Sequence, residues 1–435
     1  MNIKKSKIKK KISVVFNLIL LILLLILNYI FIKMVENIII EGSPFSGKST
    51  LISLLKEKTN KNLIENGFLK EQYLKHWSLW NKSLNNREKN IIILLECEPE
   101  ILLTRSNNKF TYDELFLIRY RYRQLSAFYG NNIHILDTSK NAEITLKEAI
   151  SIINENNKEF LVPDINEITE EEYLNFPLVI EGESKIIRQF NNKFQIIKYK
   201  PTVHSFKQNR SGIVEGTEIE RMLMTKNIID IFSRFSIKHS YFFIGNKFIL
   251  NLTQKNLPPI EIIVKKCFVG SDYVRYYNLD KCLNRFGKPV VNKNKFNEYN
   301  KYIVRFDYRN PNFNPITKKP LGDILLCDDL ADEFINVEVA KKTALKIFKI
   351  LDENFKKLNL YFEDVCFMLD VNGDTMYGEV SQDCGRYKYL NNGEVVDLDK
   401  DVWRNWESFE NVREKYKRIR EMIEKFVKEE FYDMK

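Results

Sequence analysis

The sequence has little from which a metal centre or a disulfide framework could be assembled. Its six cysteines, Cys97, Cys267, Cys282, Cys327, Cys366 and Cys384, include no Cys-x-x-Cys pair. The four histidines, His76, His134, His204 and His239, are scattered. No zinc-type ligand spacing results, and the cysteines read as free thiols of a reducing cytosol. A broad excess of positive charge is also lacking. The formal net charge is +10, but residues 1–33 carry seven lysines and no acid, so the rest of the chain holds +10 − 7 = +3. The high pI therefore gives no support to a nucleic-acid partner. What the chain has in plenty is apolar material. A length of 435 residues with 13% aromatics implies two or three domains, each able to bury a core.

Ile12 to Ile32 is a run of 21 residues broken only by Ser13, Asn17, Asn28 and Tyr29. It is long enough to span a bilayer, which takes about 20 apolar residues. No small-residue cleavage site follows, which argues against a signal peptide. Six lysines precede the run, so the positive-inside rule would place everything after Lys33 outside the cell. Three readings stand side by side. Met34 is the initiator and residues 1–33 are a spurious extension, or the run is an anchor inserted against the charge rule, or it is a short hairpin-like anchor. The expectation is a cytoplasmic protein, with membrane attachment through residues 12–32 as the alternative. Residues 1–33 are expected to stand clear of the globular part.

"GSPFSGKS" at 42–49 fits the pattern G-x-x-x-x-G-K-[ST]. The β-branched "NIIIEG" leads in and "KSTLISLLKEK" leads out as a helix, which is the context a phosphate-cradling loop needs. Gly42 and Gly47 let the backbone curl, and Ser43, Ser46 and the adjoining amides line the cradle. Lys48 reaches terminal phosphates, and Ser49 or Thr50 offers a hydroxyl to Mg²⁺. Beyond it, "IIILLECEPEILLTRS", "TYDELFLIRYRYRQLSAFYG", "NIHILDTS" and "AEITLKEAISIINE" alternate strand and helix, which predicts a parallel sheet wound on both sides.

Over about residues 34–155 these segments resemble thymidylate kinase and related nucleotide kinases. The resemblance implies ATP phosphates on Lys48. It also implies that Arg105, Arg119, Arg121 and Arg123 belong to a lid over the transferring phosphoryl group, where guanidinium clamps suit the spread charge. The stretch before "IIILLE" lacks the Asp-Arg pair with which that family binds its acceptor, so the acceptor nucleotide stays open. A solvated helix face is the other reading of Arg119, Arg121 and Arg123.

Residues 157–177, acidic and with a proline at each side, read as a linker. From Leu178 the pattern changes to hairpin-like strands, with "NGD" as a tight turn, interrupted by "TEIERMLMTKNIIDIFSRF" and "ADEFINVEVAKKTALKIFKILDENFKKLN". That order predicts an α+β domain over 178–435. Along the last helix, Phe409, Val412, Tyr416, Ile419, Ile423 and Phe426 alternate three and four apart, a core-facing stripe or, alternatively, a coiled-coil interface.

Five segments of this part resemble, in order, motifs of phosphoribosylaminoimidazole-succinocarboxamide synthase, the purine-pathway ligase. They are "EGESKII", "SGIVEGTEIERM", "IEIIVKKCFVGS", "LGDILLCDDL" and "GEVSQDCGR". The resemblance implies ATP at Gly182, Ser184, Lys185, Glu261 and Lys265, with Lys185 and Arg386 among the catalytic residues. It implies Mg²⁺ on Glu379 and Asp383, with Asp370 nearby, and an amide formed from a small carboxylate and an amine. Four departures fall on chemically important positions. Glu183 stands for a lysine of the motif, Lys265 for an arginine, Met368 for a metal-binding glutamate and Gly378 for an acid. Loss of the arginine removes bidentate recognition of phosphate or carboxylate. Glu261 also reads as a paired structural carboxylate, and Glu379 and Asp383 as turn residues. The whole reads as a kinase-like module fused to a ligase-like module, or as an ATP-binding regulatory or scaffold protein with degenerate sites.

Overall fold

The computed structural model describes residues 37–65, 90–129, 133–155, 161–205, 210–294, 296–309, 313–319, 321 and 324–432. The chain forms two compact units, Met1–Glu167 and Ile168–Lys435.

In the first unit, β1 (Asn37–Gly42), α1 (Lys48–Lys56), β2 (Asn62–Glu65), β3 (Asn90–Glu96), α2 (Pro99–Arg105), α3 (Tyr112–Tyr129), β4 (Ile133–Asp137) and α4 (Ala142–Glu155) follow one another. The strands make a small four-stranded parallel sheet in the order β2-β1-β3-β4. Ile38 and Ile40 of β1, Ile91, Ile93 and Leu95 of β3 and Leu136 of β4 pack with α1 and α4 on one face. Ile39, Ile92, Leu94 and Ile135 point the other way and are buried as well. A strand buried on both faces reads as a continuous apolar run, which is why "NIIIEG" and "IIILLE" are unbroken rather than alternating.

The second unit is α+β, and its named strands all pair antiparallel. After α5 (Glu170–Asn175) come β5 (Leu178–Glu181), β6 (Lys185–Gln189), β7 (Phe194–Tyr199), β8 (Thr202–Ser205), β9 (Arg210–Ile213), α6 (Thr217–Arg234), β10 (Tyr241–Ile244) and β11 (Ile249–Leu252). Five of these strands form one sheet, β10-β11-β7-β6-β5, and β8 pairs with β9. Next are β12 (Ile260–Cys267), α7 (Asp272–Arg275), β13 (Val291–Asn292), β14 (Glu298–Tyr308), β15 (Ile324–Leu326), α8 (Asp328–Asp332), α9 (Val337–Lys356), β16 (Leu360–Phe367), β17 (Gly385–Asn391) and β18 (Glu394–Asp397). They build a seven-stranded sheet, β13-β14-β12-β16-β17-β18, with β15 on β14. The helices α10 (Asp401–Arg404) and α11 (Phe409–Val427) complete the unit. Within the stretch 157–177, Thr169 and Glu172 make a reciprocal capping box that starts α5.

Two helices explain the packing. Asn336 caps α9, whose Val337, Ala340, Ala344, Ile347, Phe348, Leu351 and Phe355 recur three and four apart and are buried. Phe348 stacks on Phe362 at 4.9 Å, and Phe362 on Tyr387 at 5.0 Å, tying α9 to β16 and β17. On α11, Val412, Tyr416, Ile419, Ile423 and Phe426 are buried while Phe409 is about half exposed. That face packs on α6, so the stripe is core.

One expectation needs correction. No helix among the described residues is long and apolar enough to cross a membrane, so the described residues do not supply the expected transmembrane helix. The apolar run at 12–32 lies outside the described residues.

Candidate functional site

In the first unit the loop after β1 has the curled backbone its glycines permit. Gly42 has φ 143°, Phe45 φ 62° and Gly47 φ 94°. At Gly42 a side chain is excluded twice over, because a Cβ there would lie 2.5 Å from the Leu95 carbonyl oxygen on the neighbouring strand. Lys48 is buried and its Nζ donates to the carbonyl oxygens of Gly42 at 3.1 Å and Ser43 at 2.8 Å. The Ser46 hydroxyl is buried in the loop with no hydrogen-bond partner among the described residues. Ser49, in the first turn of α1, donates to Glu65 at 3.0 Å, and Thr50 is exposed.

The arginines after the loop are committed to partners. Arg105 donates to the Thr138 carbonyl at 2.8 Å. Arg119 grips Glu98 with two nitrogens at 2.6 and 2.7 Å and reaches Glu96 at 3.0 Å, and Arg123 also donates to Glu96. Burial alone would raise the Glu96 pKa, but the two guanidiniums outweigh it and hold the carboxyl at about 2.

The second unit gathers its charge around the segment 376–386, which threads between α6 and the two sheets. The Tyr241 hydroxyl donates to the Gly378 carbonyl at 3.0 Å, and Thr225 of α6 to that of Val380 at 3.1 Å. These bonds bring Glu379 and Asp383 to Arg221, a fully buried side chain of α6. Arg221 Nη1 lies 3.4 Å from a carboxylate oxygen of each, and Nη2 donates to the Lys200 carbonyl. Ser381 donates to Glu379 at 2.5 Å, Tyr416 donates to Asp383, and Lys400 lies 3.5 Å from Asp383. Burial raises the Asp383 pKa, yet Lys400 and Arg221 reverse the shift and keep it below its ordinary value.

Lys185 opens β6, just past the turn at Gly182 and Ser184, where the Gly182 N–H donates to the Lys185 carbonyl at 2.9 Å. Its ammonium stands 6.0 Å over the Tyr199 ring, within the field of Glu379, and makes no hydrogen bond among the described residues. Burial pulls its pKa down, and the Glu379 charge only partly offsets that.

Lys265 and Arg386 sit in a different cluster. Lys265 Nζ donates to the Val269 carbonyl at 2.8 Å and Asp364 at 3.2 Å, and lies 3.4 Å from Asp272. Arg386 joins Asp364 at 2.6 Å and Asp401 at 3.0 Å. Glu261, on β12, accepts a long contact from the Cys366 thiol at 3.5 Å.

The carboxylates do not fit a divalent metal. Magnesium needs oxygens with lone pairs to spare. Both Asp383 oxygens and Glu379 Oε1 already face Arg221, Lys400, Ser381 and Tyr416, which leaves only Glu379 Oε2 of the pair without such a contact among the described residues, too few for a metal. Asp370 is turned away into its own loop, accepting from the N–H groups of Asp374 at 3.2 Å and Thr375 at 3.1 Å. Met368 packs on Gly378. Among the described residues no three His, Cys, Asp or Glu side chains gather as a metal site would need.

Arg221, Lys400 and Tyr416 were missed from sequence. Tyr416 was legible only as part of the apolar stripe of the last helix, and Arg221 left a signal of its own. Thr217, Arg221, Met224 and Ile228 are spaced along one helical stripe, so a charge at Arg221 had to be buried and paired. Lys400 and Tyr416 are brought in by tertiary contact alone.

A family profile described as SAICAR synthetase matches residues 178–423. Bifunctional cordycepin biosynthesis cluster protein 3 of Cordyceps militaris is 25% identical over 269 residues, covering 52% of this chain and 30% of that protein. This chain thus spans under a third of that relative's length. Phosphoribosylaminoimidazole-succinocarboxamide synthase of Wolbachia pipientis is 24% identical over 261 residues, covering 55% of this chain and 94% of the relative. A solved synthase of the same description from Ehrlichia chaffeensis superposes with a TM-score of 0.46 at 20% identity, over 57% of this chain and 98% of that one.

Proposed function

The chain belongs to the SAICAR synthetase family, and we propose that its second unit is an ATP-dependent carboxylate–amine ligase working at the Lys185 cluster. One observation carries the reading. The segment 376–386 and the start of β6, far apart in sequence, come near enough that the Glu379 charge acts on the Lys185 ammonium, which stands 6.0 Å over the Tyr199 ring and donates to no described group. An ammonium in that position suits a phosphoryl group in transfer. In the reaction a carboxylate oxygen attacks the γ-phosphorus of ATP, the bond to the β-phosphate oxygen breaks, and ADP leaves. The amine nitrogen then attacks the acyl carbon. The acyl C–O bond breaks, phosphate departs with the electron pair, and the nitrogen loses a proton to give the amide. Lys185 binds and orients the phosphoryl group. Gly182 and Ser184 form the turn that sets its position. No step is assigned to a metal held by Glu379 or Asp383.

The first unit, in this reading, is a nucleotide-kinase-like module over 34–156, joined through 157–177 to the ligase module at 178–435. Support comes from the curled loop at 42–49, the helix start at Lys48 and the buried Ser46 hydroxyl. Its phosphate donor would be ATP and its acceptor a nucleotide.

A second reading is favoured by the engagement of Glu379 and Asp383 with Arg221 and Lys400. It makes the second unit an ATP-binding regulatory or scaffold module without turnover. Phosphate release by full-length Lys48→Ala protein, supplied with ATP and panels of carboxylates and amines, decides between them. Release that needs both partners supports the ligase. Tight ATP binding with no release under any pairing supports the regulatory reading and sinks the ligase.

A further inference from the structure

We propose that the second unit binds nucleotide phosphates through its own cations, without a divalent metal held by its carboxylates. The inference rests on the reading of the Lys185 cluster as a nucleotide site. Arg221 is fully buried and its Nη1 sits 3.4 Å from both Glu379 and Asp383. It is locked there because Nη2 is spent on the Lys200 carbonyl. Lys400 lies 3.5 Å from Asp383. A metal entering between the two carboxylates would have to expel a guanidinium that has no route to water, and a buried charge without partners is strongly disfavoured.

The flank of the cluster offers no replacement ligand. The Met368 thioether packs where residue 378 has no side chain, with its sulfur 3.3 Å from the position a Cβ would take. Other acids of this unit are paired elsewhere. Asp364 pairs with Lys265 and Arg386, Asp272 with Lys265 and Arg305, and Asp401 with Arg386 and Arg404.

Charge points the same way. Among these five side chains, Lys185, Arg221 and Lys400 supply three cations against the two carboxylates of Glu379 and Asp383. Where a site offers bare carboxylates to a polyphosphate, a bridging cation is needed to offset like charge. Here that offset is built into the protein by Arg221 and Lys400, and Lys185 remains for the phosphate itself. Phosphate recognition by fixed ammonium and guanidinium groups is independent of divalent ions.

The test is calorimetric titration of ADP, and of a non-hydrolysable ATP analogue, into full-length Lys48→Ala protein. One series contains excess magnesium and the other excess EDTA. Lys48→Ala silences the first-unit loop, and heat that disappears on adding Lys185→Gln is assigned to the second unit. The expected result is a Kd that differs by less than about tenfold between the two buffers, a smaller change than a lost charge-assisted contact produces. Binding that weakens by about tenfold or more in EDTA overturns the proposal and leaves the nucleotide site standing. Absence of Lys185-dependent binding in both buffers overturns the proposal together with the nucleotide reading beneath it.

Discussion

Met368 and Gly378 touch so closely that a Cβ on residue 378 would come within 3.0 Å of the Met368 Cβ and 3.1 Å of its Cγ. The Tyr377 N–H donates to the Met368 carbonyl at 3.2 Å, and Leu369 bridges Met376, so the two backbones are pinned at that separation. The resemblance to the ligase motifs implies an acid at each position, and here the two residues form an apolar contact instead.

Gly378→Ala should therefore destabilise the second unit by about 1–3 kcal/mol, the cost of an added methyl in a filled space. In a Met368→Gly background the same substitution should cost much less, because the Cβ, Cγ and sulfur it meets are all gone. Urea unfolding of the four proteins, followed by a probe in the second unit, measures the coupling. Equal costs in both backgrounds would show that the contact does not limit residue 378.

Lys48→Ala should abolish nucleotide binding at the first unit and leave binding at the second untouched. Lys48 holds the loop carbonyls of Gly42 and Ser43 now, and those same bonds place its ammonium at the cradle. Titration of a nucleoside triphosphate into wild-type and variant chains reads the number of sites. Two sites persisting in the variant would refute a phosphate role for the loop.

Lys185→Gln should weaken nucleotide binding at the second unit by about 10–100-fold, the worth of one charge-assisted bond to phosphate. Stability should barely change, since the Lys185 ammonium donates to no described protein group and its burial opposes its charge. Calorimetry for binding and thermal melts for stability separate the two effects. A large fall in melting temperature with unchanged affinity would make Lys185 a structural residue.

The first unit should lose stability in acid through Glu96. Its folded pKa of about 2 lies below the 4.5 of an ordinary glutamate, with burial opposing the shift and Arg119 and Arg123 driving it. A depressed acid binds fewer protons folded than unfolded, so its contribution is complete above about pH 4.5. It fades as the pH falls toward 2, and amounts to about 3 kcal/mol. Glu96→Gln should flatten that part of the stability profile while lowering stability at neutral pH. A variant whose acid unfolding matches the parent's would exclude Glu96 as the group responsible.

Spacing and backbone freedom along the chain were enough to place the elements. A run such as "NIIIEG" can only be a strand buried on both faces, "GSPFSGKS" needs glycines where the backbone turns left-handed, and the three-and-four stripe of α11 commits it to a core. These are local properties of spacing and backbone freedom, readable without knowing what lies opposite. Tertiary structure alone decided which charges meet. Arg221 and Glu379 are 158 residues apart, and only the threading of 376–386 past α6 makes them partners. The same holds for Arg386, which looks in sequence like a companion of Glu379 and Asp383. In the fold it pairs with Asp364 and Asp401, because β17 carries it toward β16 and α10. An ion pair depends on distance and burial, and neither is encoded in the order of residues along a strand.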